Sequence, residues 1–128
     1  MGKSFKVILD TNFLLTMVRY KIHAITEIRS QIPVEFFVLS GIIDEMQVLS
    51  KEKKIKKEVS IVTQILEKNN VQGIISKLKN VDDELVSLSK EYIVATNDKE
   101  LRKRIREFGG KTIYIQKLTT VNLENVRD

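Results

Sequence analysis

Short apolar runs alternate with amphipathic stretches along the 128 residues of this chain. The runs near residues 5–10, 35–39 and 93–96 are nearly continuous, which is typical of strands covered on both faces. Between them, apolar residues recur every three or four positions, as they do in amphipathic helices. Strands that alternate with helices predict βαβ units, a mainly parallel central sheet and an α/β fold.

Capping residues, glycines and the single proline set the boundaries of the other elements. Ser40 is expected to cap the helix that follows the second strand, and Asn80 opens a helix before the strand at 93–96. The sequence also predicts a first helix that ends at about residue 20, further helices at 24–31, 41–50 and about 55–66, and strands at 71–75 and 111–115. We expect one domain over residues 1–128, with a core of about 5–116 and a possible flexible tail at 117–128.

Composition narrows the class of protein. The chain is 42% hydrophobic and 30% charged, which indicates a globular domain, and the absence of cysteine excludes disulfides and thiolate metal sites. No apolar run approaches the roughly 20 residues that span a bilayer, and no secretory signal is recognisable, so we expect a cytoplasmic protein with no membrane partner. The net charge of +5 permits nucleic-acid binding without establishing it.

Carboxylates recur where predicted strands end and helices begin. Asp10 and Asp98 follow strands, Glu45 lies one turn into the helix after the second strand, and Asp83, with Asp82 beside it, lies at the start of a later helix. Carboxyl ends of parallel strands share one edge of a sheet. Because clustered like charges oppose ionisation, such a group favours a hard cation with oxygen ligands, Mg²⁺ or Mn²⁺. Ions of this kind can activate water and stabilise a phosphodiester leaving group.

A structural interpretation of each residue alone stays open, because Asp and Asn are common helix caps. A purely structural role is more plausible for Asp83 and Asp98 than for Asp10, because Thr11 could cap the first helix in place of Asp10. Thr96 could bond Asp10 or a bound water, or it could act as a cap. The hypothesis of a metal site therefore depends on the whole set.

The candidate residues lie in four motifs along the chain. They are Val-Ile-Leu-Asp-Thr-Asn-Phe-Leu at 7–14, Ser-Gly-Ile-Ile-Asp-Glu-Met at 40–46, Asp-Glu-Leu-Val-Ser-Leu at 83–88 and Ile-Val-Ala-Thr-Asn-Asp-Lys-Glu-Leu at 93–101. In this order and spacing the motifs resemble those of a known family, the PIN domain. The resemblance implies a three-layer α/β/α sandwich with a central mainly parallel sheet. It also implies a Mg²⁺- or Mn²⁺-dependent ribonuclease with Asp10, Glu45, Asp83 and Asp98 as catalytic and metal-binding residues. Asp83 is preferred to Asp82 because Leu85 follows it at the family's Asp-x-Leu spacing.

Within that family the chain resembles short archaeal single-domain members. The segment 93–106 is similar to the branch that processes ribosomal RNA (Fcf1/Utp24-like), and the toxin branch of toxin–antitoxin pairs is the alternative. The implied partners are RNA and, as open alternatives, a second copy of the chain, a ribosome-assembly protein or an antitoxin. A PIN-like fold that binds RNA without cutting it is a further alternative.

The helix after Asp98 is strongly basic. Lys99, Arg102, Lys103 and Arg106 are spaced i, i+3, i+4 and i+7, so they share one face. We expect this face to guide RNA towards the acidic cleft. The competing interpretation is a solvated helix surface whose cations complement the C-terminal dipole.

Overall fold

A computed structural model describes residues 4–124 of the chain. The secondary structure alternates as the sequence pattern predicts. The elements are β1 Phe5–Leu9, α1 Thr11–Arg19, α2 Ala24–Gln31, β2 Val34–Leu39, α3 Ser40–Leu49, α4 Lys53–Lys68, β3 Gln72–Ile74, α5 Val81–Leu88, β4 Ile93–Ala95, α6 Lys99–Glu107, β5 Thr112–Gln116 and β6 Thr120–Glu124.

The strands form one sheet in the order β3-β2-β1-β4-β5-β6. The first five strands are parallel, and β6 runs antiparallel to β5. Helices α1, α3 and α4 contact one another, and α5 contacts α6. Right-handed crossovers place the first group on one face of the sheet and the second on the other. The predicted α/β/α sandwich with a mainly parallel sheet is confirmed.

The continuous apolar strands lie at the centre because helices cover both of their faces. Ile8, Leu9, Val94 and Ala95 are fully buried, and Phe13 of α1 is buried against them in the same core cluster. This burial fixes the level of the strands, and so it fixes where the polar residues that follow each strand emerge.

One predicted cap is wrong. Leu39 rather than Ser40 occupies the N-cap position of α3, and Ser40 is the first helical residue. The Ser40 hydroxyl accepts a hydrogen bond from the Ser76 backbone N–H at 2.9 Å, while the Ser76 hydroxyl accepts one from the Gly41 N–H at 2.8 Å. A Cβ on Gly41 would lie 2.9 Å from the Ser76 hydroxyl, so glycine permits this close approach. The serine pair ties the start of α3 to the segment between β3 and α5.

The predicted tail is also wrong for part of its length. Residues 120–124 form β6, which pairs with β5 from Gln116↔Thr120 to Thr112↔Glu124. The turn before β6 places Lys117 and Leu118 at φ of 53° and 56°, a conformation that glycine or asparagine usually signals in the sequence. Neither residue type is present at those positions. Residues 125–128 of the expected tail lie outside the described residues.

Strand order creates a place for a ligand. The chain passes from β1 to β2 on one side and from β4 to β5 on the other, although β1 and β4 are neighbours. Open α/β sheets bind ligands outside the carboxyl ends of the strands at such a reversal.

Within residues 4–124, no helix is long and apolar enough to cross a membrane.

Candidate active site

A cleft of about 640 Å³ opens at the reversal of strand order. Four carboxylates line it, each from a different part of the chain: Asp10 after β1, Glu45 in α3, Asp82 in α5 and Asp98 after β4. Three of the four belong to the set preferred from the sequence. The fourth is Asp82 in place of its neighbour Asp83.

Asp10 is the most buried of the four, at 5% exposure. It is the N-cap residue of α1, and its Oδ1 accepts a hydrogen bond from the Thr11 backbone N–H at 2.9 Å. Its Oδ2 accepts from the Thr96 hydroxyl at 2.7 Å and from Asn12 Nδ2 at 3.2 Å. Burial raises the pKa of Asp10 from 3.8 to about 6, against the lowering effect of the hydrogen bonds from Thr96 and Thr11. The charges of Asp82 and Glu45, which line the same cleft, add to the rise.

Two asparagines hold the strand exits together. Asn12 Oδ1 accepts a hydrogen bond from the Asn97 backbone N–H at 2.8 Å. The Asn97 side chain in turn donates to the Ile115 carbonyl and accepts from the Ile115 N–H, both at 3.0 Å. The ends of β1, β4 and β5 are thereby joined beside Asp10. Neither Asn12 nor Asn97 was predicted as a site residue, although they lie inside the motifs at 7–14 and 93–101.

Glu45 reaches the cleft from α3. Its Oε1 accepts a hydrogen bond from the Thr11 hydroxyl at 2.8 Å. Thr11 thus positions Glu45 rather than capping α1, because Asp10 fills the cap position itself. The bond joins α1 to α3 at the mouth of the cleft.

Asp82 and Asp83 point to different places although they are adjacent. Successive helical residues are about 100° apart around the axis, so the two side chains leave the helix in different directions. Asp82 is half-buried there, and burial followed by the charge of Asp98 raises its pKa. Asp83 is exposed, and its Oδ1 accepts a hydrogen bond from Arg104 of α6 at 2.8 Å. The structure therefore places Asp82 in the cleft and Asp83, the residue preferred from the sequence, outside it.

Asp98 has two structural tasks at once. It caps α6 by accepting a hydrogen bond from the Leu101 N–H at 3.1 Å, and its own N–H donates to the Thr96 hydroxyl oxygen at 3.2 Å. Thr96 is fully buried and therefore links the carboxylates of β1 and β4. Capping and cleft lining are compatible, because the second carboxylate oxygen is not needed for the cap.

The donor chemistry of the cleft fits a hard divalent cation. All four side chains offer carboxylate oxygens. The charges of Asp82 and Glu45 oppose ionisation of Asp10, and the charge of Asp98 opposes ionisation of Asp82. A positive ion in the cleft would relieve this repulsion. Among residues 4–124, no three acidic or histidine side chains lie close enough to hold an ion by themselves. Mg²⁺ tolerates this arrangement, since it usually keeps several waters and takes only one or two carboxylates directly.

Comparison with known proteins agrees with this geometry. The family model described as PIN-like domain matches residues 7–117, which is most of the chain. The chain belongs to the PIN-like domain family. The resemblance found in the motifs is thereby confirmed.

Relatives of this PIN-like domain support the same assignment. It is 34% identical over 110 residues to ribonuclease VapC4 of Methanocaldococcus jannaschii, covering 80% of this chain and 84% of the relative. Its fold is similar to that of the PIN domain endonuclease Utp24, with a TM-score of 0.77 and 23% identity over 99% of this chain and 96% of the other. A domain of a functionally unknown protein from Methanocaldococcus jannaschii is similar with a TM-score of 0.63 and 14% identity, over 98% and 100% of the chains. At these identities the two structures show the fold alone.

The basic face expected on α6 of this PIN-like domain is partly neutralised. Arg102 lies 3.5 Å from the centre of the Tyr114 ring and donates to Glu124 Oε2 at 3.1 Å. Arg106 donates to Glu124 Oε1 at 3.3 Å. The unpredicted strand β6 brings Glu124 to these arginines, so half of the expected face is engaged within the protein. Lys99 and Lys103 are exposed.

Proposed function

We propose that the chain is a divalent-metal-dependent endoribonuclease that hydrolyses RNA phosphodiesters in this cleft. The observation that carries the proposal is the convergence of Asp10, Glu45, Asp82 and Asp98 from four separate elements on the reversal point of the sheet. Membership of the PIN-like family and the similarity to a protein named ribonuclease VapC4 support it.

In this proposal Asp10, Glu45, Asp82 and Asp98 would hold Mg²⁺ or Mn²⁺. When bound, such an ion lowers the pKa of water and neutralises charge on a phosphodiester. The remaining polar residues keep the carboxylates in place: Thr96 and Asn12 fix Asp10, and Thr11 fixes Glu45. Asp10 must lose its proton to contribute charge, so metal binding should weaken as the pH falls through about 6.

Lys99 and Lys103 are the residues of α6 that we propose to contact RNA phosphates. They are four positions apart, which puts them on one face of the helix. That helix begins at Asp98, so the face starts beside the cleft. Arg102 and Arg106 are assigned a structural role instead, because Glu124 already binds both of them.

The test is cleavage of a single-stranded RNA by the purified protein with EDTA, Mg²⁺ or Mn²⁺. Cleavage with either ion and none with EDTA is the expected result, and Asp98→Asn should abolish it. A non-catalytic RNA-binding module would give a different pattern: equal RNA binding with and without metal, and no new RNA ends under any condition. That pattern would overturn the proposal.

The two branches suggested by the sequence differ in substrate. A ribosomal-RNA-processing enzyme in the cytoplasm should cut precursor ribosomal RNA at one position, whereas a toxin-type ribonuclease should cut mature RNA and be inhibited by a small partner protein. Mapping the new RNA ends from both kinds of RNA separates the branches without altering the proposed chemistry.

A further inference from the structure

The cleft continues beyond its acidic end into a second region with different chemistry. Facing stripes of α1 and α3 form this region. On α1 the stripe is Thr11, Leu15 and Arg19, each one turn from the last, and on α3 it is Glu45 followed by Val48 and Leu49. Both stripes therefore begin at a polar site residue and become apolar one turn, or about 6 Å, further along.

The apolar part is open to a ligand. Val48 lines the cavity and is 62% exposed, so its side chain is accessible from the cleft. Leu15 supplies the floor and is almost completely buried, so the floor is fixed by the core. The whole cleft, with its acidic end, has a volume of about 640 Å³, within the roughly 300–1,000 Å³ typical of small-molecule sites.

A positioned cation closes the far end. Arg19 lines the cavity, and its Nε donates to both carboxylate oxygens of Glu58 at 3.0 Å. That ion pair uses one of the five guanidinium N–H donors and orients the whole planar group. The Arg19 side chain is 44% exposed, so its other donors are accessible. The end of the cavity thus presents hydrogen-bond donors in a fixed plane beside an apolar wall.

We propose that this arm of the cleft, formed by Leu15, Thr16, Arg19, Val48 and Leu49, binds one unpaired nucleobase of the RNA strand whose phosphodiester lies at the carboxylates. The inference rests on the proposed ribonuclease function and deepens it. The arm is continuous with the acidic end, so a group attached to a phosphate at the carboxylates can enter it. A flat group with an apolar face and hydrogen-bond acceptors on its edge fits the wall and the guanidinium, and a base in unpaired RNA is such a group.

The experiment combines an abasic substrate with a variant of the wall. A short RNA that the protein cleaves is remade with the base removed at each position next to the cut, one at a time. The measurement is kcat/KM with Mg²⁺. Stacking of bases on aromatic side chains is worth roughly 5- to 150-fold, and an aliphatic wall belongs at the low end, so one position should lose about five- to tenfold.

Val48→Ser should cost the intact RNA a similar factor and should remove the penalty of the abasic position. The Mg²⁺ concentration for half-maximal rate should not change, because the carboxylates are untouched. Ile61→Ser is the matched control: Ile61 is an exposed helical residue of α4 that does not line the cavity. It should keep both the wild-type rate and the abasic penalty.

Two results would overturn the inference, and they differ from each other. Equal rates for the intact RNA and every abasic RNA would refute the base site while leaving the ribonuclease intact, and would point to another occupant such as a protein segment. Complete absence of metal-dependent cleavage by the unaltered protein would refute the proposed function and the base site together.

Discussion

Replacement of Asp10 by Asn should change how the stability of the metal-free protein depends on pH. Burial is the main reason that the pKa of Asp10 rises from 3.8 to about 6 in the folded protein. Asp10 therefore holds its proton more tightly in the folded state than in the unfolded chain. Between about pH 4 and pH 6 the Asp10 carboxyl is ionised in the unfolded chain but still protonated in the folded state. The free energy of unfolding therefore falls as the pH rises through this range.

The magnitude follows from the pKa difference. One pKa unit corresponds to about 1.4 kcal/mol, so the shift of Asp10 amounts to about 3 kcal/mol of lost stability above pH 6. Roughly 2 kcal/mol of that loss falls between pH 4 and pH 7. The amide introduced by Asp10→Asn has no proton to release, so its stability lacks this pH dependence. The free energy of unfolding of the variant minus that of wild type should therefore increase by about 2 kcal/mol from pH 4 to pH 7. Any constant cost from altered hydrogen bonds to Thr96 and Asn12 cancels in this comparison.

Urea unfolding followed by circular dichroism in EDTA, at several values between pH 4 and pH 7, measures this difference. Asp44→Asn, which removes an exposed carboxylate of α3 outside the cleft, controls for one unit of net charge. Added Mg²⁺ at pH 7 should stabilise wild type and leave Asp10→Asn nearly unchanged. Parallel pH profiles of wild type and Asp10→Asn would refute the reasoning, because they would mean that burial of Asp10 has little effect on its ionisation.

Two further changes test the roles assigned to α6 and β6. If Lys99 and Lys103 each contact one RNA phosphate, changing both to Gln should flatten the log–log dependence of RNA affinity on salt by about 1.4, and an unchanged slope would exclude this face. Glu124→Gln should lower the free energy of unfolding by roughly 1–2 kcal/mol at pH 7, because Glu124 accepts charge-assisted hydrogen bonds from Arg102 and Arg106. Although burial by itself would raise the pKa of Glu124, its hydrogen bonds to Arg102 and Thr112 and the charges of both arginines hold that pKa below its ordinary value, so this contribution is present at neutral pH and lost on acidification. An unaltered urea midpoint for Glu124→Gln would contradict the structural role of the cluster.

Local patterns were enough to predict that Asp10 and Asp98 lie at the cleft. Asp10 follows its apolar strand directly and Asp98 lies three residues after β4 ends, and the burial of each strand in the core fixes where the carboxylate emerges. The choice between Asp82 and Asp83 could not be made in this way. It depends on the rotation of α5, which is set by Asn80 at its start and by the burial of Leu85 in the core.

Long-range contacts also explain the other differences. The turn at Lys117 and Leu118 carries no sequence signal for its left-handed conformation, so β6 was not predicted. Without β6 there was no reason to expect Glu124 beside Arg102, and the helix face appeared more basic than it is. The apolar arm of the cleft requires the contact of α1 with α3, which no motif in either helix reveals on its own.

Cleavage by Asp82→Asn compared with Asp83→Asn tests the central claim most directly, because the two changes are chemically identical and one position apart. We expect Asp82→Asn to lower metal-dependent RNA cleavage by roughly 100-fold or more, since loss of even an outer partner of a metal ligand typically costs 10–100-fold. Asp83→Asn loses only an exposed pair with Arg104, so its activity should stay within a few-fold of wild type. The reverse order of the two variants, or equal activity in both, would contradict the assignment of the cleft as the catalytic metal site.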